Sequence, residues 1–191
     1  MSSKTTSQDL FHDKKTGFFI YLFVEAIMFS TLFATYIIYT PPQVGPHPSE
    51  LFELKTTILA SIFLLSSSGT LLIAEKGLND RNMKLIMAGI GLTFLLGAAF
   101  MYFELDEFRK FIMEGHVIST NNFLSSYYVL VGLHASHVTF GLGWMIVLFI
   151  QGKVLPFNLF KEKHKIFNYY WHFVDIIWVI ILLVVYAPYL M

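Results

Sequence analysis

Cysteine is absent from the 191 residues, so no disulfide, thiolate metal site or thioether haem attachment is available to this chain. Charge is also scarce: 13 Lys and Arg and 13 Asp and Glu make 14% of the chain, against 55% hydrophobic and 17% aromatic residues. That is far more apolar surface than a water-soluble domain of this length encloses. The net charge of zero gives no basic field to attract nucleic acid. Gly-rich phosphate loops, serine elbows and zinc motifs are missing, which excludes the usual soluble catalytic designs. No lysine lies deep in an apolar run, so a retinal Schiff base is excluded. Nor is there a Glu-x-x-His pair of the kind that builds di-iron carboxylate bundles.

What is present is five long apolar runs. A hydrocarbon core of about 30 Å needs roughly 20 helical residues, and runs of that order extend over Gly17 to Tyr39, Thr56 to Ala74, Leu85 to Phe103, Phe123 to Ile150 and Ile166 to Leu190. They lack the alternation of a transmembrane barrel. The expected fold is therefore an all-α, five-helix transmembrane bundle forming one domain over residues 1–191. The polar head before the first run carries no cleavage pattern, so that run reads as an anchor.

Lysine and arginine are sorted between the loops. Lys4, Lys14, Lys15, Lys76, Arg81, Lys84, Lys153, Lys161, Lys163 and Lys165 fall on one side, and Lys55, Arg109 and Lys110 on the other. Retention of basic loops in the cytoplasm predicts a cytoplasmic amino terminus and an external carboxy terminus. The first external loop, residues 40–50, is stiffened by four of the six prolines. The second, about Glu104 to Asn122, is acidic and in part amphipathic, and Glu104, Asp106, Glu107, Phe108, Phe111 and Ile112 are expected to make a short interfacial turn of helix. Small residues spaced four apart, Ser66 with Thr70, Gly132 with Ser136 and Thr139 with Gly143, mark places for close helix packing, within this bundle or against another subunit. No inverted repeat or broken helix suggests a secondary transporter.

Ionisable groups inside the runs are few and costly, which makes them candidate functional residues. They are Glu25, His134, His137, His172 and Asp175, with Glu104 at the external end of the third run. Glu25 and Asp175 each lie roughly 12 to 14 Å in from the same membrane face. Glu25, His137, His172 and Asp175 are thus expected in one layer, sharing hydrogen bonds or protons. A protonated Glu25 acting only as a donor to a neighbouring helix is the plainer alternative. His134 and His137 are spaced to ligate jointly, but a metal site needs further ligands, and no residue is assigned as catalytic, cofactor-binding or metal-ligating. Glu104 is expected to be a solvated or lipid-facing headgroup contact at the external interface rather than a catalytic acid. Tyr169, Tyr170, Trp171 and Trp178, with Tyr186 and Tyr189 at the far end, are expected to form interfacial aromatic belts.

The residue patterns carry a resemblance. Tyr170-Trp171-His172-Phe173-Val174-Asp175 with Trp178, Gly132-Leu133-His134-Ala135-Ser136-His137-Val138, Glu25-Ala26-Ile27-Met28-Phe29, Pro41-Pro42 with His47-Pro48, and Glu104 together resemble subunit III of the haem-copper respiratory oxidases. The matches follow family order through all five runs, in the bacterial five-helix form found among quinol and cytochrome c oxidases. The resemblance implies an accessory subunit without haem or copper, packed against catalytic subunit I alongside subunit II and possible further small subunits. It implies bound phospholipid, support of proton uptake, and protection of the active site during turnover. By the same resemblance, Glu25, Glu104, His134, His137, His172 and Asp175 form a buried polar network or lipid and subunit contacts rather than redox ligands. The implied location is the bacterial cytoplasmic membrane. Two other readings remain at this level: the same subunit in a nitric oxide reductase, and a proton or ion carrier acting alone.

Overall fold

A computed structural model describes residues 7–40, 42 and 54–189. All but two positions of the first external loop, including Pro41, His47 and Pro48, lie outside the described residues, as do Lys4 and Leu190. The helices are α1 (Ser7–Ile38), α2 (Leu54–Asn79), α3 (Met83–Met113), α4 (Asn122–Val154) and α5 (Phe157–Ile181). A π-helical turn, Leu182–Tyr186, and a 3-10 turn, Ala187–Tyr189, continue α5. Five helical segments are long and apolar enough to cross a membrane, and the described residues contain no strand.

Each helix runs beyond the apolar stretch that marks it. Helix α3 continues ten residues past Phe103 to Met113 and absorbs the first half of the segment expected to be the second external loop. Local chemistry explains the stop. Gly115 takes φ +83°, and the His116 amide bonds back to the Phe111 carbonyl at 2.8 Å, a left-handed helix terminus that glycine adopts without strain. At the far side of the next turn the Asn121 side chain accepts from the Leu124 amide at 2.7 Å and starts α4. The α2–α3 turn is tighter. Arg81 occupies the left-handed position at φ 53°, the Asn82 amide bonds to the Gly77 carbonyl at 2.9 Å, and Asn82 caps α3 through Leu85. The first helix also begins earlier than its apolar run, at Ser7, and α5 begins at Phe157, immediately after Pro156. Proline suits that position because the first turn of a helix has no use for its missing amide hydrogen.

The packing order differs from the chain order. The α2–α3 hairpin is the tightest pair, α5 packs on α4 and α2, and α1 rests on α4 and α5 rather than on its sequence neighbour α2. Helix α1 is also the least buried span, with Phe19, Ile20, Phe23, Val24 and Ile27 exposed along it. Close approach is made at glycines other than those in the spaced pairs. A Cβ on Gly89 would sit 2.5 Å from the Ala74 amide nitrogen, and on Gly141 2.6 Å from the Trp171 ring. Gly97 faces the same indole, 3.0 Å from its edge. Ser66, Ser136, Thr139 and Gly143, by contrast, are exposed, and added Cβ atoms on Gly132 and Gly143 would meet nothing within 4 Å. Thr70 and Thr139 each reach α3, at the Thr93 hydroxyl and at Met101 Sδ, so the spaced pairs supply single contacts while the closest approaches are made at Gly89, Gly97 and Gly141.

Gly89→Val should damage the hairpin, because the obstacle is backbone that cannot swing away. Overpacking of this kind typically costs about 1–3 kcal/mol. The thermal midpoint of the purified protein should fall accordingly, and an unchanged midpoint would contradict the packing described.

Candidate functional site: the buried polar seams

The bundle's polar groups gather in three places. The first joins α2 to α5. Three α2 serines face α5: Ser61 Oγ accepts from Trp178 Nε1 at 3.1 Å, Ser67 Oγ accepts from Trp171 Nε1 at 2.9 Å, and Ser68 meets both His172 and Asp175. Ser68 has one hydroxyl proton, which it donates to Asp175 Oδ2. It therefore accepts from His172 Nδ1, 3.1 Å away, which fixes the ring tautomer. The result is a directed chain from imidazole to hydroxyl to carboxyl. Behind it Thr93 of α3 donates to the Gly89 carbonyl and lies 2.8 Å from the Thr70 hydroxyl.

The second place joins α1, α4 and α5. His137 Nδ1 lies 2.9 Å from the Leu133 carbonyl, so this nitrogen carries a proton. Its Nε2 is 3.2 Å from Glu25 Oε2. That contact needs one more proton, held either by the carboxyl or by the ring. The Tyr170 hydroxyl donates to the His137 carbonyl at 2.9 Å and ties α5 to the same point. Beside this group lies a cavity of about 210 Å³ lined by Tyr21, Ser136, His137, Phe140 and Tyr170. A second, apolar cavity of about 440 Å³ shares Phe140 and continues along Gly143, Trp144 and Val147.

The third place lies at the opposite end of the bundle from the α4–α5 turn. Glu107 Oε1 accepts from Tyr127 at 3.0 Å and from Tyr186 at 3.3 Å, and the two tyrosine hydroxyls are 3.0 Å apart. Glu104, one turn along α3, is 1% exposed, and neither of its carboxyl oxygens has a partner. His134 is equally buried, stacked on Trp178 at 5.2 Å with Phe100 edge-on at 6.0 Å.

These positions correct several expectations. Glu25 and His137 do meet, and His172 and Asp175 do share a partner, but no hydrogen bond joins the two groups into one layer. The cause is the packing order: α1 sits against α4, and Phe29 packs on His137 at 5.3 Å and on Phe173 at 6.4 Å, so aromatic rings join α1 to α5 there. Glu104 is not a solvated interfacial residue, because α3 continues past it and turns it inward. Tyr170, Trp171, Trp178 and Tyr186 are not belt residues either, since each is at most 1% exposed. Tyr169 does face outward, with the Lys15 ammonium 5.1 Å over its ring. The α2 serines were the missing partners, and their only signal is that they lie on one face of an apolar span: Ser61 meets Trp178, Ser67 meets Trp171 and Ser68 meets His172 and Asp175. Among the described residues, no group of three or more His, Cys, Asp or Glu is placed to hold a metal ion.

Ser68→Ala should leave His172 and Asp175 without their shared partner, at a cost of about 1–3 kcal/mol per orphaned group. Ser30→Ala, whose hydroxyl bonds only the Ala26 carbonyl of its own helix, should be nearly neutral. Thermal midpoints of the two variants should separate clearly, and equal midpoints would contradict the seam.

A family model described as cytochrome c oxidase subunit III matches residues 5–188. Cytochrome c oxidase subunit 3 of Bacillus sp. (strain PS3) is 39% identical over 176 residues, covering 91% of this chain and 85% of that protein. Cytochrome bo(3) ubiquinol oxidase subunit 3 of Pseudomonas aeruginosa is 38% identical over 179 residues, covering 89% and 82%. Quinol oxidase subunit 3 of Bacillus subtilis (strain 168) is 38% identical over 173 residues, covering 89% and 84%.

Proposed function

Because the chain belongs to the cytochrome c oxidase subunit III family, as a multi-pass bacterial membrane protein, we propose that it is an accessory subunit contributing no redox centre to its haem-copper terminal oxidase. Haem and copper then belong to partner subunits, with subunit I as the catalytic neighbour and subunit II beside it. The side carrying the α2–α3 and α4–α5 turns faces the cytoplasm, in keeping with the ten basic residues sorted to it.

One observation carries the non-redox reading: the mid-span histidines do not converge. His137 is held by Glu25 and the Leu133 carbonyl, His172 by Ser68, and His134 by the face of Trp178 with Phe100 edge-on. Three imidazoles used in three places stiffen a bundle rather than surround one centre. Bound phospholipid is part of the same proposal. The groove from Phe140 to Val147 is apolar and opens at the bundle surface, which suits an acyl chain. The exposed apolar length of α1 and the small-residue face of α4 supply surface for subunits or lipid.

The test uses the oxidase complex purified through this chain. Glu25→Ala and Asp175→Ala should leave the haem spectrum and initial oxygen reduction within about twofold of the parent, a change worth under about 0.5 kcal/mol. They should shorten several-fold the number of turnovers before inactivation, because a partner in a seam is lost and no redox ligand is. Loss of initial oxygen reduction in a fully assembled complex would overturn the accessory reading.

A further inference from the structure

Neither seam accounts for a set of buried polar groups along α5. Both ring nitrogens of His164, Oδ1 of Asn168 and Oδ1 of Asp175 have no partner on the protein. They are not surface groups: His164 is fully buried, and Asn168 and Asp175 are 8% and 6% exposed. An unmet polar atom inside a membrane bundle is expensive, and ordered water is its ordinary remedy.

The spacing of these groups is regular. His164, Asn168, His172 and Asp175 recur at intervals of four, four and three residues, which places them within an arc of about 80° on one side of the helix. Along the axis they rise in steps of about 6, 6 and 4.5 Å. A water molecule making two hydrogen bonds spans about 5.5 Å between heavy atoms, so the two four-residue intervals each match the span of one water, while the last, from His172 to Asp175, is bridged by Ser68. The adjoining face of α5, with Phe167, Trp171 and Trp178, is aromatic and fully buried. The polar stripe therefore has a dry wall on one side, and at its inner end it meets Ser68 of α2. Its outer end is His164, about two turns into α5 and flanked in sequence by Lys163 and Lys165.

We propose that His164, Asn168, His172 and Asp175 line a single file of water along which protons pass between the α4–α5 end of the bundle and Asp175. Each step conserves atoms and charge. An imidazole takes a proton on one nitrogen and releases the one on the other, each water passes on one proton as it accepts another, and Oδ1 of Asp175 is the terminal acceptor. The amide of Asn168 orients water without itself titrating. His172 and Ser68 close the file at its inner end, since the Ser68 hydroxyl already donates to Oδ2. Other titratable groups on the surrounding elements do not enter it. Glu75 and Lys76 of α2 and Lys84 of α3 are exposed, Lys15 of α1 lies over Tyr169, and Glu25 is held by His137 of α4. The file reaches about halfway through a hydrocarbon core of about 30 Å, over eleven residues or about 16 Å. It is thus a loading path to an internal carboxyl rather than a transmembrane channel. The inference stands on the side chains of α5 and does not require the oxidase assignment.

Infrared spectroscopy of the chain in its native membrane complex tests this without turnover. The carbonyl band of protonated Asp175 is identified as the band removed by Asp175→Asn, and its rate of shift is followed after transfer to heavy water. In the parent protein the exchange should be fast. Asn168→Leu should slow it by about tenfold or more, the effect of roughly 1.4 kcal/mol on the barrier, whereas Asn168→Asp should keep it fast. His164→Leu supplies a second block nearer the mouth if Asn168→Leu does not assemble. An exchange rate unchanged in whichever block assembles, or no Asp175→Asn-sensitive band at any pH, would overturn the proposal.

Discussion

Hydrogen bonds between three α2 serines and four polar side chains of α5 satisfy groups that hydrocarbon cannot, and the arrangement of the bundle follows from them. Ser61, Ser67 and Ser68 engage two indole N–H groups, an imidazole and a carboxyl. In lipid there is no hydrophobic force to press helices together, so packing and interhelical hydrogen bonds must hold them. The serine seam fixes the rotation of α5, which turns Trp171 toward α3 and α4. Gly97 and Gly141 make the room: either position with a side chain would meet the indole at about 3 Å or less. Trp178, turned the same way, stacks with His134 and meets Phe100 edge-on at 4.7 Å. One row of hydroxyls thus determines where four helices can lie.

The remaining helix is placed by a different constraint. Helix α1 leans on α4 and α5 through Glu25, His137 and Phe29 and leaves much of its apolar surface uncovered. A helix so lightly held has few internal contacts to lose, and its exposed side is available for lipid or another subunit. The cavities beside Tyr21 and Trp144 lie along this same junction. Packing within the chain and assembly beyond it therefore meet at α1, while the serine seam is internal to the chain.

Much of this was legible in the sequence, for identifiable reasons. Apolar length marks a membrane helix strongly, so all five spans were found, and the residue patterns around Glu25, His137 and Asp175 carried the family. What length alone does not encode is direction. Tyr170, Trp171 and Trp178 read as belt residues because aromatic residues near span ends commonly are, whereas here small residues opposite them admit their rings to the core. Glu104 read as interfacial because apolar character ends near it. The helix itself continues to the stop at Gly115, and helical phase then carries Glu104 inward. The pairing of α1 with α4 is a tertiary choice, made through Phe29 and His137, and it divided residues of similar depth into two groups. Serines were passed over because they carry no charge, yet in hydrocarbon a hydroxyl is one of the few partners that a buried carboxyl and two indoles can find.

The account rests on the claim that this chain organises polar groups and surfaces while the redox centres lie elsewhere. The most direct measurement is the haem and copper content of the purified complex before and after selective removal of this subunit. The account predicts that the remaining subunits keep their full complement of both. Release of haem or copper in proportion to the chain removed would contradict it.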